Sequence, residues 1–195
     1  NSKQRRVPVS LDAPIFTLTH AMGFKGVLGG EYNFNRTEAS IWKRFWLPAS
    51  WGKIDCSVKA GAEWNVVPFP LLILPEANLS YITQRETFCL INNMEFLNDR
   101  FASMSISYDM NGKLFNRIPL LKNLKWREMF RVRALWGTLT DKNNPFKSSN
   151  PDLFRFPTRD GKFTSFVMDP KVPYVEASVG IYNIFKSLHV EYVHR

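Results

Sequence analysis

Between residues 102 and 110 the side chains alternate without a break. Ala102, Met104, Ile106, Tyr108 and Met110 fall on one side, Ser103, Ser105, Ser107 and Asp109 on the other. A period of two sends successive side chains to opposite faces of an extended chain, so this stretch is a strand with one apolar and one polar face. Asn111-Gly112, a dipeptide suited to the positive φ of a tight turn, follows it. The alternation then resumes, with Phe130, Val132, Ala134 and Trp136 against Arg131 and Arg133. Two further stretches repeat the pattern. Ile54, Cys56, Val58, Ala60, Ala62 and Trp64 oppose Asp55, Ser57, Lys59, Gly61, Glu63 and Asn65, and Val175, Ala177, Val179 and Ile181 oppose Tyr174, Glu176, Ser178 and Gly180. Charges at every second residue opposite so long an apolar row require that face to be wet. A soluble sandwich and a transmembrane barrel both satisfy the pattern: the first turns its apolar face to a core, the second to lipid with the polar face lining a lumen.

The connections discriminate better than the strands. Strand-like segments at 15–20, 32–47, 54–65, 102–110, 130–136, 174–181 and 189–195 are separated by unequal linkers. Residues 66–93 lose the period and gain prolines, and residues 141–171 are rich in Asn, Pro, Ser, Lys and Asp; both read as long loops. The other connections are short, with a helical turn expected near Ile118 and Leu121 inside 111–123. Long loops on alternate connections are the habit of membrane barrels, which carry short periplasmic turns and long outer loops. The reading is therefore all-β: an antiparallel meander forming part of a transmembrane outer-membrane β-barrel, with residues 1–195 a single barrel segment. Residues 141–171 are expected to be extracellular and mobile, with little apolar surface to bury.

Composition excludes some classes. The longest apolar run, 66–74, is broken by Pro68 and Pro70 and is too short for a membrane helix. An aromatic content of 14% suits interfacial girdles and an aromatic β core alike. The net charge of +9 invites a nucleic-acid partner, but no fingerprint of a nucleic-acid module accompanies the dense run Lys113, Arg117, Lys122, Lys125, Arg127, Arg131 and Arg133. A solvated or lumen-facing basic face is the plainer reading, with no nucleic acid bound and with phosphates of anionic lipids as a further partner. Of the 2 cysteines, Cys56 falls in an apolar alternation set, which favours a buried thiol over a disulfide to Cys89.

No catalytic chemistry stands out. His20, His189 and His194 lack zinc-ligand spacing, and no nucleophile elbow, zinc-protease motif or nucleotide loop is present. No metal or other cofactor is expected. Glu95 and Asp99 share one face and are expected to meet Arg131 or Arg133 across neighbouring strands. The lumen-facing polar set is then Glu95, Asp99, Ser103, Ser105, Arg131, Arg133 and Glu176.

A series of short motifs carries a resemblance. P-F-P-L-L at 68–72, E-A-N at 76–78, M-E-F-L-N-D-R-F at 94–101, N-R-I-P-L-L-K at 116–122, L-K-W-R-E at 124–128, D-K-N-N-P at 141–145 and P-Y-V-E-A-S-V-G-I-Y-N-I-F-K at 173–186 occur in order. Together they resemble a Gram-negative, Bacteroidota-type outer-membrane family of unassigned function. Its members join an amino-terminal carboxypeptidase-regulatory-like sandwich to a carboxy-terminal β-barrel. The layout is also distantly similar to the barrels of outer-membrane insertases and two-partner-secretion transporters, in which 66–93 corresponds to the long loop that folds into the lumen. The resemblance implies a carboxy-proximal piece of a longer barrel, without the regulatory domain and the first strands. It implies outer-membrane localisation, contact with outer-membrane lipid and lipopolysaccharide, the barrel-assembly machinery as partner, and missing strands of the same chain to close the sheet. The expected role is non-enzymatic: transport, insertion or anchoring at the cell surface. The alternative is a soluble basic β-domain that binds an anionic ligand or surface protein.

Overall fold

The computed structural model describes residues 13–80, 82, 84, 86–147 and 153–195. The alternating segments form one antiparallel seven-stranded meander in the order β1-β2-β3-β4-β5-β8-β9. Its strands are β1 (Ile15–Gly23), β2 (Phe34–Trp46), β3 (Lys53–Glu63), β4 (Arg100–Asp109), β5 (Arg127–Thr138), β8 (Tyr174–Ile184) and β9 (Leu188–His194). A separate two-residue hairpin, β6 (Thr158–Arg159) and β7 (Lys162–Phe163), lies in the β5–β8 connection. Among the described residues β1 pairs with β2 alone and β9 with β8 alone, so the sheet is open at both edges.

Turn chemistry sets the short connections. Ala49, Ser50 and Gly52 all take positive φ between β2 and β3. Gly52, at φ +91°, lies so close to β4 that an added Cβ would fall 1.8 Å from the Asp109 carbonyl oxygen. Asn111 and Gly112 both adopt positive φ, as their dipeptide predicts. The expected helical turn is α1 (Pro119–Leu124), opened by its proline and closed by Lys125 in the left-handed conformation.

Register puts the two faces beyond doubt. Phe45, Ile54, Tyr108, Phe130, Val179 and Tyr192 stand side by side across β2, β3, β4, β5, β8 and β9. Four residues along β2, toward its start, Phe16, Ile41, Val58, Met104, Ala134 and Val175 form a parallel row. This apolar face is the open one: Phe16 is 70% exposed, Val132 43% and Tyr192 69%. Lys43 interrupts it, with its ammonium 4.9 Å above the Phe45 ring near the end of β2. Met110 leaves the alternation because β4 ends at Asp109, and it is buried off the sheet, whereas Trp64, one residue past β3, keeps to the apolar face with its Nε1 donating to Thr37 Oγ1 (2.9 Å).

The hydrophobic core sits on the opposite, polar side and is built largely by loops. The described residues of 66–99, and residues 153–173, fold over that side near the starts of β4 and β8. Val67, Leu72, Leu97, Leu139 and Phe156 make one cluster. Phe88, Ile91 and Met168 make another against Leu135 of β5 and Tyr174 of β8. The two segments are stitched together by backbone bonds, Leu97 N–H to the Phe166 carbonyl (3.1 Å) and Phe166 N–H to the Glu95 carbonyl (2.7 Å). The expectation for 141–171 is corrected in part: Phe156, Ser165 and Met168 are buried, because the apolar residues scattered through this polar stretch meet those of 66–99. Residues 148–152 of that loop lie outside the described residues. Both cysteines are free thiols and half-buried.

Candidate functional site

The covered polar face is where this chain concentrates its chemistry. Each strand contributes every second residue to it, so charged residues as far apart in sequence order as β5 and β9 become neighbours. Arg44 of β2 donates from Nε and Nη2 to the Asp55 carboxylate of β3 at 2.6 and 3.0 Å. Lys59 of β3 lies 3.5 Å from Glu38 and 2.5 Å from Glu76, which belongs to the covering segment. Arg131 of β5 donates from Nη1 to both Glu191 oxygens of β9, at 3.1 and 3.3 Å, although β8 stands between them. Ser178, on that intervening strand, also donates to Glu191.

Arg133 and Glu176, directly opposed in register on β5 and β8, form the centre. Their side chains are 3.7 Å apart and each residue is 2% exposed. Glu176 also holds the covering segment. It accepts the backbone N–H of Cys89 (2.9 Å) and of Leu90 (2.7 Å), with Tyr174 Oη donating at 2.6 Å. Arg133 reaches the same segment through the Gln84 carbonyl (3.3 Å) and the Cys89 sulfur (3.4 Å). A buried carboxylate accepting several N–H and O–H donors beside a guanidinium is well satisfied, and removing any one partner strands the rest. Beside this clasp the polar face forms an open-sided cavity of about 560 Å³, lined by Trp42, Arg44, Asp55, Ser105, Arg131 and Glu191 among others.

Of the residues singled out in the sequence, Ser103, Ser105, Arg131, Arg133 and Glu176 are brought together on this face. Glu95 and Asp99 are not paired with Arg131 or Arg133, and that expectation is corrected. Both precede β4: Asp99 still bonds the flanking strands through its backbone, N–H to the Thr138 carbonyl (3.0 Å) and carbonyl from Glu63 N–H (2.7 Å), but register sets Ser105 rather than Asp99 opposite Arg133, and Glu95 lies in the covering segment. Glu95 accepts from Arg195 Nη1 (3.0 Å) and from Asn92, while Asp99 accepts from Thr140 N–H (3.1 Å), the Thr140 hydroxyl and Asn143 Nδ2 (3.0 Å). Asp99 thereby ties the start of β4 to the end of β5 and leaves the arginines to Glu176 and Glu191. Glu191 was missed as a site residue. Its signal is positional: in the hairpin after Gly180 it stands opposite that glycine, beside Ser178 and Arg131.

Among the described residues no group of three or more His, Cys, Asp or Glu side chains converges as a metal site. Among the described residues no helix is long and apolar enough to cross a membrane. The face holds paired charges and a covering segment in fixed positions.

No curated protein and no solved structure matches this chain. A family description does match, over residues 1–147: "Family of unknown function (DUF5686) C-terminal domain". That span takes in every motif of the series except the one at 173–186, and it covers well over half of the 195 residues, so the chain belongs to this family.

Proposed function

We propose that the sheet is a segment of a transmembrane β-barrel of the outer membrane, with its apolar face to lipid and its charged face to a lumen that residues 66–99 occupy. The carrying observation is the inversion of polarity: the strands leave Phe16, Ile41, Val58, Ile106, Phe130, Val132 and Val179 open while Arg131, Arg133 and Glu176 are buried. In water an apolar face of this extent costs about 25 cal/mol for every Å² left uncovered; hydrocarbon removes that cost. Strand length supports the same reading. Five of the strands have 10 to 13 residues and β1 has 9, against roughly 5–6 in ordinary sheets and about 9–11 for a tilted membrane strand. The connections support it too. The two longest connections, 64–99 and 139–173, leave the same end of the sheet, together with 24–33, and 47–52, 110–126 and 185–187 leave the other.

In this reading the role is non-enzymatic transport, insertion or anchoring at the cell surface. Outer-membrane lipid and lipopolysaccharide surround the barrel, and the assembly machinery inserts it. The open edges of β1 and β9 take up partner strands, since an unpaired edge in hydrocarbon costs several kcal/mol per amide. A Bacteroidota-type architecture with an amino-terminal carboxypeptidase-regulatory-like domain belongs to the same proposal. The test is Ile106→Arg against Ser105→Arg, measured by denaturant unfolding from lipid vesicles. Arginine at Ile106 is expected to cost about 2–4 kcal/mol. At Ser105 it enters the polar cavity, and its cost, which includes repulsion from Arg133 opposite, is expected to stay below that at Ile106. Equal costs at the two neighbours would remove the basis for a lipid-facing side.

A further inference from the structure

The cations of this chain fall into two populations. On the polar face Arg44, Lys53, Lys59, Arg131 and Arg133 each have a carboxylate within 4 Å. In the β4–β5 connection Lys113, Arg117, Lys122 and Lys125 have none among the described residues. Apolar side chains are interleaved with them and stand in the open. Leu120 is 82% exposed, and Leu114, Ile118 and Leu124 are each more than 40% exposed.

This connection is an anchored element rather than a slack loop. Phe115 N–H donates to Glu128 Oε1, Lys113 Nζ to the Ala49 carbonyl (2.7 Å), and Asn183 Nδ2 to the Lys125 carbonyl (2.7 Å). It is continuous with the apolar face. Tyr108, at the end of β4, donates its hydroxyl to the Trp51 carbonyl (3.1 Å), and the Trp51 ring carries Lys113 Nζ at 5.2 Å and Arg117 Cζ at 6.0 Å.

We infer that residues 111–126, with Trp51, form a docking surface for the phosphate headgroups of anionic glycerophospholipids in the leaflet at this end of the barrel. The inference rests on the barrel reading and assigns a lipid class and a site to it. Unpaired cations alone fit any polyanion. Cations alternating with exposed leucines, beside an indole and at the margin of an apolar band, fit a boundary with phosphate on one side and hydrocarbon on the other. A nucleic acid would satisfy the charges and leave Leu120 and Leu124 in water. An acidic protein surface would do the same.

The test uses the full chain in phosphatidylcholine vesicles with trace spin-labelled phosphatidylglycerol or spin-labelled phosphatidylcholine, reading the motionally restricted lipid by electron spin resonance. The expected result is a preference for phosphatidylglycerol of about fivefold or more, weakened by salt. It falls to parity when Lys113, Arg117, Lys122 and Lys125 are all changed to Gln. It survives when the three lysines are changed to Arg, and when Lys25 and Lys162, at the other end of the sheet, are changed to Gln. A restricted component without headgroup preference, or a preference that the four Gln changes leave intact, overturns this surface alone. Absence of a restricted component for both labels overturns the barrel reading and the surface with it.

Discussion

Changing Glu176 to Gln should release the covering segment from the polar face without unfolding the sheet. The carboxylate accepts Leu90 N–H and Tyr174 Oη on one oxygen and Cys89 N–H on the other, and it is the acid opposite Arg133. Gln keeps the shape but sets an NH₂ group against a backbone N–H and removes the charge that balances a guanidinium 2% exposed. Breaking one side of a buried pair costs about 3–5 kcal/mol. The lower figure applies here, because Gln keeps one acceptor and Arg133 keeps the Gln84 carbonyl and the Cys89 sulfur. Whichever way the amide is turned, one of the two bonds to the segment is lost, from Cys89 N–H or from Leu90 N–H, so the loss falls on local opening. About 3 kcal/mol is roughly two factors of ten in the open population. Cys89 is a built-in reporter: it is a free, half-buried thiol at the clasp. With Cys56 changed to Ala, a water-soluble methanethiosulfonate should modify Cys89 about 100-fold faster in Glu176→Gln than in the parent. Hydrogen exchange at the Leu90 amide should accelerate in parallel, which separates opening from any change in thiol reactivity. Rates within twofold of the parent by both measures would refute the clasp.

Two stability comparisons test other parts of the fold. Gly52→Ala should cost well over the roughly 1–2 kcal/mol of a left-handed non-glycine residue, because its Cβ would also meet the Asp109 carbonyl of β4 at 1.8 Å; Gly26→Ala, at φ +85° with open space around it, should cost only the conformational part. Phe156→Ala should lower unfolding stability by about 3–5 kcal/mol, since Phe156 fills the cluster of Val67, Leu72 and Leu97; a change near zero in vesicle unfolding would return 141–171 to the status of a loose loop.

What could be read directly from the residues is whatever alternation encodes. Because a period of two leaves no freedom about which face a side chain takes, Ser103, Ser105, Arg131, Arg133 and Glu176 were assigned to one face before any pairing was known. Which acid meets which base depends on register between strands, and alternation says nothing about register. Arg131 meets Glu191 because Met129 stands opposite Gly180 and Gly180 opposite Glu191, a chain of pairings that depends on the β8–β9 hairpin and on the irregularity between Ile181 and Ile184. Glu95 and Asp99 are misassigned for the same reason: Asp99 stays bonded between the ends of β3 and β5, but register sets Ser105 and Ser107 opposite Arg133 and Arg131, so its carboxylate meets Thr140 and Asn143, while Glu95 lies in the covering segment. Phe156 and Met168 escaped notice because loop residues that bury side chains singly carry no period.

The position of the core follows from the same alternation. Strands that place charge on the inner face cannot build a hydrophobic core from their own side chains, except where the alternation supplies Phe101, Leu135 and Tyr174 near the starts of β4 and β8 and the end of β5. Those apolar residues are where the covering segments attach, with Phe88, Ile91 and Met168 against Leu135 and Tyr174. Further along the same strands the inner residues become Ser105, Ser107, Arg131 and Glu191, which offer nothing for an apolar loop to cover, and there the cavity opens. The position of the cover and the position of the cavity are thus two consequences of one gradient along β4 and β5. The clasp at Glu176 and Arg133 marks the boundary, where a loop backbone can still be satisfied by a strand carboxylate. Moving that boundary by one pair, to Arg131 and Ser178, would leave the Cys89 and Leu90 amides without an acceptor, because Glu191 already takes both.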